Sequence, residues 1–464
     1  MKLKHKLSVA GVVGLLAFNS VAHADETADL IKSLKQQIDA LDQKVRVLER
    51  NRELDQDAAV ETAKAAPKII IGNNGLNITS GDTNFAFALH GLLQVDNRSF
   101  FNDGNTRGND SFLLRRARPI FSGTVYRDFD FMFVPDFGGS SVQIFDAYLN
   151  YRYRPWLQLR AGKFKPPVGL EQLQSDPVTL FNERSLATAL TPGRDIGFQL
   201  WGDVADGRVS YAAGIFNGTA DGRNSSNADF EDHHEFFGRI FAQPFKKSDV
   251  AGLRGLGFGV SGSWGNVSSN SAGLSNGFVT DGQQTFFAYT NNVVAAGNHW
   301  RLSPQAYYYY GPLSLLGEYV ISDQNVQRNV GTKVFKADLQ NTAWQIAAGW
   351  VLTGEDASYS GVTPLHPFDP FAGHWGALQL VGRFAELDVD KNTFPTFSNG
   401  GVSAQSAQSW SVGLNWYLNK NIRINTSYSR TDFTGGGAAK ATSAPGTVTR
   451  QPEQLLFTRL QLAF

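Results

Sequence analysis

From Pro67 to Phe464 the chain is built of segments of about ten residues in which apolar side chains alternate with small or polar ones. The last segment, EQLLFTRLQLAF, shows this clearly. Its two faces carry Leu456, Leu460, Leu462 and Phe464 on one side and Phe457, Arg459 and Gln461 on the other. An apolar outer face and a polar inner face are typical of a wall between lipid and water, whereas a soluble sandwich has bulky residues inside and charge outside. The alternation therefore predicts an all-β protein, a transmembrane antiparallel β-barrel.

Seventeen segments have this strand-like character: 84–98, 112–126, 129–136, 142–153, 156–164, 195–204, 207–217, 234–243, 256–268, 282–292, 299–310, 313–323, 339–353, 374–389, 406–418, 421–433 and 453–464. Bacterial barrels have an even number of strands, with short periplasmic turns and long outer loops. The tight connections fall on one side only if 282–292 belongs to an outer loop. We therefore expect about 16 strands within residues 67–464, together with one long periplasmic turn from Gly354 to Gly373.

The N-terminus indicates export. Lys2, Lys4 and Lys6 precede the apolar stretch LSVAGVVGLLAF, and the small-residue site Ala22-His23-Ala24 follows, which predicts a signal peptide over residues 1–24. Because the chain has no cysteine, an exported protein of this length has no disulfide framework to hold it. Closure of a large sheet is one way to do without disulfides.

Residues 25–66 change to a helical pattern. Apolar residues recur there at alternating spacings of three and four: Ile31, Leu34, Ile38, Leu41, Val45 and Leu48. This spacing is the seam of a coiled coil, and the alternative is a single amphipathic helix lying on its own protein. Ile or Val at position a with Leu at d favours two strands, a preference that a trimeric body could override. Residues 58–67 resemble a linker, so we expect a short periplasmic coiled-coil helix and linker over 25–66.

The stretch from Phe112 to Arg194 has the most distinctive chemistry. Between Arg98 and Lys165 there are eleven Lys or Arg residues and six Asp or Glu residues, a surplus of five positive charges. The surplus lies in alternating, aromatic-rich sequence, which predicts the wall of a water-filled channel that attracts anions. Over 67–464 as a whole, 32 basic and 32 acidic residues balance, so only the local surplus supports anion preference. Residues 165–193 then form a long loop whose prolines prevent extension of either flanking strand.

Several stretches occur together in this sequence: LLRRARPIFSGTV, FDAYLNYRY, LRAGKFKPPVGLEQ, GRDIGFQLWGD, SPQAYYYYGPLSLLGEY, PFDPFAGHWGALQL and a terminal Phe. With the signal peptide and the heptad segment, they make the chain from Asp25 to Phe464 resemble the phosphate-selective porins of the O and P type. The resemblance implies a homotrimer of sixteen-stranded barrels in the bacterial outer membrane, in contact with lipid and lipopolysaccharide. It also implies an inward-folded loop 165–193 and an Arg/Lys-lined pore with a central site for inorganic phosphate or polyphosphate.

Carried over residue by residue, the resemblance places Arg115 and Arg116 at the anion site, with Lys163 and Lys165 as the nearest basic residues. It adds five further candidates: Arg118, Arg152, Arg160, Arg184 and Arg194. Arginine suits this role because its charge is permanent and its fork matches phosphate oxygens bidentately, whereas lysine supplies a looser point charge. The resemblance implies no cofactor.

The orientation of Arg115 is a problem for a regular strand. Strict alternation puts Arg116 and Arg118 on one face and Arg115 on the other. Because a lipid-facing arginine near the midplane costs roughly 2–4 kcal/mol, Arg115 must lie near an interface, meet a neighbouring subunit, or reach the lumen through a bulge. In the competing interpretation the three arginines snorkel to lipopolysaccharide phosphates or form ordinary lumen ion pairs with Asp136, Asp146 or Glu171.

Other charged features have simpler explanations. Arg383, Arg423 and Arg459 face the lumen by the same alternation, and they fit a general transverse field better than a selective site. The pair His233-His234 resembles part of a metal cluster, but no second cluster follows at ligand spacing. We therefore expect a solvated loop there and no bound metal.

The sequence predicts a passive outer-membrane porin that is anion-selective and conducts phosphate or polyphosphate. One alternative is a porin for another small anionic or neutral nutrient, and another is an envelope-tethering barrel whose coiled coil holds the cell wall. An outer-membrane hydrolase would need a nucleophile with His and acid partners at one rim, and the eight histidines show no such arrangement. We therefore expect neither enzymatic activity nor a nucleic-acid partner.

Overall fold

The computed structural model describes residues 24–101, 108–139, 141–228, 232–437 and 449–464. Apart from Ala24, the predicted signal peptide lies outside the described residues. The chain divides into two compact units, and the boundary falls between Ala66 and Pro67. The described part of the first unit is one long helix, and the second unit consists mainly of β-strands.

Helix α1 (Ala24–Ala65) leaves its apolar seam exposed in the single chain. A helix in water gains most of its stability from packing an apolar face, so the coiled coil stays a prediction that requires other copies of the helix. The prediction of a linker over 58–67 is wrong for residues 58–65, which belong to the helix. The sequence DAAVETAKA continues the helix there because alanine has the highest helix propensity. No helix in the described residues is long and apolar enough to cross a membrane.

The strands in chain order are β1 (Lys68–Gly72), β2 (Gly75–Thr79), β3 (Ala86–Phe101), β4 (Ser111–Val125), β5 (Phe129–Asp136), β6 (Gln143–Arg154), β7 (Leu157–Phe164), β8 (Asp195–Val204), β9 (Val209–Phe216), β10 (Glu235–Ala242), β11 (Leu256–Asn270), β12 (Phe278–Val279), β13 (Thr285–Phe287), β14 (Val293–Tyr310), β15 (Leu313–Val330), β16 (Lys333–Val351), β17 (Ala377–Asp388), β18 (Ala404–Tyr417), β19 (Ile422–Gly435) and β20 (Glu453–Ala463). Within the described residues, sixteen of them, β3–β11 and β14–β20, form one antiparallel barrel, which closes where β20 pairs with β3.

The predicted fold class and strand number are confirmed. Strands β12 and β13 form a separate two-stranded sheet, so the segment 282–292 belongs to a loop as the even count required. The faces also alternate as expected. In β18, for example, Val412 and Leu414 are exposed on the outside, whereas Ser411 and Asn415 are buried inside.

Connections alternate between the two ends of the barrel. One end has short turns such as 126–128, 155–156 and 311–312, and its longest connection is 352–376, between β16 and β17. The other end has the long connections, including 165–194 between β7 and β8. Since outer-membrane barrels have short periplasmic turns, the first end is the periplasmic one.

Two parts of the β-structure differ from expectation. Strands β15 and β16 continue to a turn at Gly331-Thr332, although the sequence predicted strands ending at 323 and restarting at 339. Residues 324–338 carry several polar side chains on each face, which obscures the alternation. The hairpin β1–β2 is likewise missing from the prediction, and β2 pairs with β3 below the point where β20 ends.

The connection 165–194 lies inside the barrel. It contains helix α2 (Leu170–Leu173) and two short 3-10 segments (Asp176–Val178 and Leu186–Leu190). Six of its apolar residues are buried: Val168, Leu170, Phe181, Leu186, Ala187 and Leu190. We refer to residues 165–194 as the inward loop, and its position decides the shape of the pore.

We expect Gly162→Ala to destabilise the barrel, because Gly162 has a φ of +130° and an added Cβ would overlap the carbonyl oxygen of Ala147 and lie 2.7 Å from Tyr148 Cα. The loss should be roughly 1–3 kcal/mol. It should appear as a lower temperature at which the folded, fast-migrating band disappears in SDS gels. The control is Gly382→Ala in β17, where an added Cβ would meet nothing within 4 Å. Equal transition temperatures for the two variants would contradict the prediction.

Candidate functional site

The inward loop is fastened across the lumen to the strands β17–β20. Side chains of these strands donate hydrogen bonds to loop carbonyl oxygens: Arg383 to Glu183 at 2.9 Å, Arg423 to Thr179 at 3.0 Å, Asn415 to Leu180 at 3.0 Å, Gln461 to Pro177 at 2.9 Å, and Arg459 to Asn182. Arg383, Arg423 and Arg459, assigned from the sequence to a general field, therefore hold the loop in place. Because the loop crosses the barrel, the open path is confined to the β3–β10 side.

Glu183 is the strongest ionic anchor of the loop. Arg115 binds its carboxylate bidentately at 2.7 and 3.0 Å, and Arg459 donates to it at 2.9 Å. Burial by itself raises the pKa of a carboxyl group, but Arg115 and Arg459 more than offset burial and hold the pKa of Glu183 well below its usual range. The carboxylate therefore stays ionised inside the barrel.

Arg115 reaches the lumen through a β-bulge. In the pairing of β3 with β4, Gln94 lies opposite Arg116 while Val95 lies opposite Leu114, so Arg115 is the extra residue. The bulge turns its side chain inward to Glu183. Of the three arrangements open to Arg115 from the sequence, this is the one found.

Asp176 gathers a second group of arginines. Its carboxylate lies 2.6 Å from Arg184 and 3.4 Å from Arg116, and it also accepts a hydrogen bond from Arg118. Arg118 has a second partner, Asp136, at 2.6 Å, as the ion-pair interpretation proposed. Burial raises the pKa of Asp176, but the surrounding arginines override burial and hold that pKa well below its usual range. One carboxylate thus faces three guanidinium groups, which leaves a local excess of positive charge.

Two cavities meet at a pair of arginines. The outer cavity has a volume of 460 Å³ and the inner cavity 560 Å³, and Arg118 and Arg194 line both. Their guanidinium groups lie 4.0 and 4.6 Å from the centre of the Phe145 ring. A solute that passes from one cavity to the other must therefore pass these two cations.

Lys165 and Arg160 line the inner cavity without a carboxylate within 4.0 Å in the described residues. The ammonium group of Lys165 donates to the carbonyl oxygen of Gln174 at 2.9 Å. The guanidinium group of Arg160 lies against the rings of Tyr148 and Trp201, at 4.5 and 4.9 Å. These two charges are therefore less compensated than those of the loop anchors.

The cavities contain seven of the nine residues predicted for the anion site: Arg115, Arg116, Arg118, Arg160, Lys165, Arg184 and Arg194. The other two are corrections. Arg152 lies at the periplasmic rim, where it pairs with Asp130 at 2.9 Å, and Lys163 donates to the carbonyl oxygen of Ser225 in the connection 217–234. Alternation along a strand predicts which side chains face the lumen, but it does not predict how far along the barrel axis they lie. Neither Arg152 nor Lys163 lines a described cavity.

Arg239 is a cavity residue that sequence reasoning missed. It lines the inner cavity from β10 and donates to Gln305 at 3.1 Å. Arg239 lies outside the basic stretch, and nothing around it in the sequence indicates that it lines the pore. Within the described part of the chain, no group of three His, Asp or Glu residues is arranged to hold a metal ion, and His233 and His234 form no such group.

Comparison with known proteins identifies related channels. The family model described as phosphate-selective porin O and P matches residues 87–464. Porin O of Pseudomonas aeruginosa is 26% identical over 412 residues, which are 80% of this chain and 88% of that protein. The outer membrane channel DcaP of Acinetobacter baumannii aligns with a TM-score of 0.53 at 10% identity and covers 82% of this chain and 98% of its own. OmpT of Vibrio cholerae aligns at 0.49 and 10% identity, over 86% of this chain and all of its own.

We expect Arg459→Met to loosen the inward loop, because the buried carboxylate of Asp96 loses its bidentate partner and that of Glu183 loses one of its two arginine donors. Breaking a buried ion pair in this way costs about 3–5 kcal/mol. The reporter is Ser185→Cys, at a buried loop position in a chain that otherwise has no cysteine. A water-soluble maleimide should label it at least about tenfold faster when Arg459 is replaced.

The matched control for this measurement is Arg430→Met, on the neighbouring strand β19. Arg430 is partly exposed, and its ion pair is with Asp432 on the same strand. Its replacement should leave the labelling rate of Ser185→Cys unchanged. If Arg459→Met labels no faster than this control, the loop does not depend on the Arg459 anchor.

Proposed function

The chain belongs to the family of phosphate-selective porins O and P, and we propose that it is an anion-selective channel that conducts phosphate or polyphosphate past Arg118 and Arg194. As a porin, it lies in the bacterial outer membrane and is a channel, not an enzyme. Transport through such a pore is passive, so selectivity depends on the charges and the width of the path.

The observation that carries the proposal is the excess of cations along both cavities. The outer cavity is lined by Arg115, Arg116, Arg118, Arg184 and Arg194 against Asp136 and Glu183. The inner cavity is lined by Arg118, Arg160, Lys165, Arg194 and Arg239 against Asp146, Asp176 and Asp203. Since the loop carboxylates are each shared by several arginines, the remaining field attracts anions.

Conduction requires release as well as attraction. Several cations in series, each of moderate strength, let an anion move on more readily than one tight site. The shared position of Arg118 and Arg194 between the cavities provides such a sequence of steps. A polyphosphate could contact the cations of both cavities at once, which supports a chain-like anion as a second substrate.

Two observations favour other roles. The balanced charge of residues 67–464 fits a porin for another small anionic or neutral nutrient. The exposed heptad seam of α1 fits assembly with further copies of the chain, and we propose a homotrimer on the ground of family membership. The same seam would also serve an envelope-tethering role.

We expect single-channel recordings under a KCl gradient to reverse on the anion side, and phosphate to block the chloride current saturably. The double variant Arg160→Gln/Lys165→Met should move the reversal potential toward zero. It should also weaken the phosphate block by at least about tenfold, because it removes two charges of the inner cavity that have no carboxylate within 4.0 Å in the described residues.

The control is Lys247→Gln, which removes a lysine charge outside both cavities, in an exposed pair with Asp206. This variant should behave like the unmodified protein. A near-zero or cation-side reversal potential in the unmodified protein, with no block by phosphate, would overturn the proposed function. Equal effects of the control and the double variant would show that the inner cavity does not carry the selectivity.

Anion preference should also depend on pH through Lys165. Burial, and then repulsion from Arg184 and Arg194, lower the pKa of Lys165 well below the ordinary lysine value of 10.5. Lys165 is therefore charged at low pH, and as pH rises it loses its proton before exposed lysines do. The anion preference of the channel should fall over the pH range in which Lys165 deprotonates. Lys165→Arg should keep its preference there, since arginine stays protonated. Identical pH profiles for the two proteins would contradict this prediction.

A further inference from the structure

The two cavities differ in the character of their walls. Most residues that line the outer cavity are charged, polar or glycine, and its apolar lining is limited to Phe145, Ala189 and Val279. The inner cavity has, besides its cations, a broad apolar lining from the barrel wall and from the inward loop, which includes Ile120, Met132, Val134, Tyr148 and Leu173. A channel for hydrated inorganic anions alone gains nothing from such a surface.

The apolar lining adjoins the cations directly. Ile120, Met132 and Tyr148 lie on the adjacent strands β4, β5 and β6, and Met132 is paired with Tyr148 across the sheet. The ring of Tyr148 in turn lies 4.5 Å from the guanidinium group of Arg160. An anion held at Arg160 would therefore have an apolar surface beside it.

Donors for such an anion are present. In the described residues, the Nε atoms of Arg160 and Arg194 are buried and have no hydrogen-bond acceptor, so the protein does not fully engage either guanidinium group. Buried guanidinium groups are stabilised when an acceptor is supplied, and a phosphate or carboxylate group supplies oxygen atoms in the matching geometry. The site thus combines unused donors, positive charge and apolar area.

We infer that the inner cavity binds organic anions that carry an aromatic ring next to a phosphate or carboxylate group. The inference rests on the proposed anion-selective function and narrows the substrate class. The anionic group lies at Arg160, Lys165 and Arg194, and the ring lies against Ile120, Met132 and Tyr148. An aromatic ring fits this surface well because thioethers and aromatic side chains make favourable contacts with rings. The cavity volume of 560 Å³ is within the range of small-molecule sites.

The test compares inorganic phosphate with phenyl phosphate as blockers of the chloride current in planar bilayers, at pH 8, where both are mainly dianions. Phenyl phosphate should reach half-block at a concentration about tenfold lower than phosphate, because its ring is removed from water on binding. Phenol, which carries the ring without the anionic group, should not block. Equal half-block concentrations for the two phosphates would overturn the inference.

The double variant Ile120→Ser/Met132→Ser should abolish the advantage of phenyl phosphate and leave the block by inorganic phosphate unchanged. The control is Val279→Ser, at an apolar residue that lines the outer cavity only, and it should keep the full advantage. If the double variant gives no folded band in SDS gels, Met132→Gln, a substitution of similar volume, takes its place. An undiminished advantage in a folded variant would also overturn the inference.

The same recordings separate this inference from the proposed function. If phosphate blocks and the current reverses on the anion side while the phenyl group adds nothing, only the aromatic preference is wrong. If phosphate fails to block and the reversal potential lies near zero, the proposed anion-selective function itself is wrong.

Discussion

The pore depends on two carboxylates of the inward loop that are buried among arginines of the barrel wall. Asp176 and Glu183 are both nearly inaccessible to solvent, and each is surrounded by at least two guanidinium groups. Removing such charges from water is unfavourable unless the ion pairs are well formed, and the loss of one partner is strongly destabilising. The arginines therefore have a mechanical role, because they fix the loop that shapes both cavities.

Some basic residues hold the inward loop and others are free to contact solutes, and the sequence does not distinguish these two groups. Arg115, Arg116 and Arg118 are engaged by loop carboxylates and act on solutes mainly through their field. Lys165 and Arg160 line the inner cavity, have no carboxylate within 4.0 Å in the described residues, and are placed to contact a solute. The resemblance centred the anion site on Arg115 and Arg116, whereas the structure gives them the character of anchors.

Most of the fold could be predicted because strand periodicity is a local property of the sequence. Alternation and turn residues indicated seventeen segments, and the even strand number of bacterial barrels reduced them to sixteen. The site required information that no local pattern contains. The inward turn of Arg115 depends on a register shift between β3 and β4, the partners of Arg383 and Arg459 lie far away in the chain, and the height of Arg152 depends on strand length.

The position of the Glu183 anchor has a consequence for assembly. Asp96 and Arg459 are direct partners in the pairing of β3 with β20, the seam that closes the barrel, and their side chains are joined bidentately at 2.6 and 2.8 Å. Glu183 binds Arg459 from β20 and lies 3.7 Å from Arg98 on β3. Its binding pocket is complete only after the first and last strands have met. The inward loop therefore reaches its final position only when the barrel closes. A barrel that has not yet closed lacks the pocket that binds Glu183.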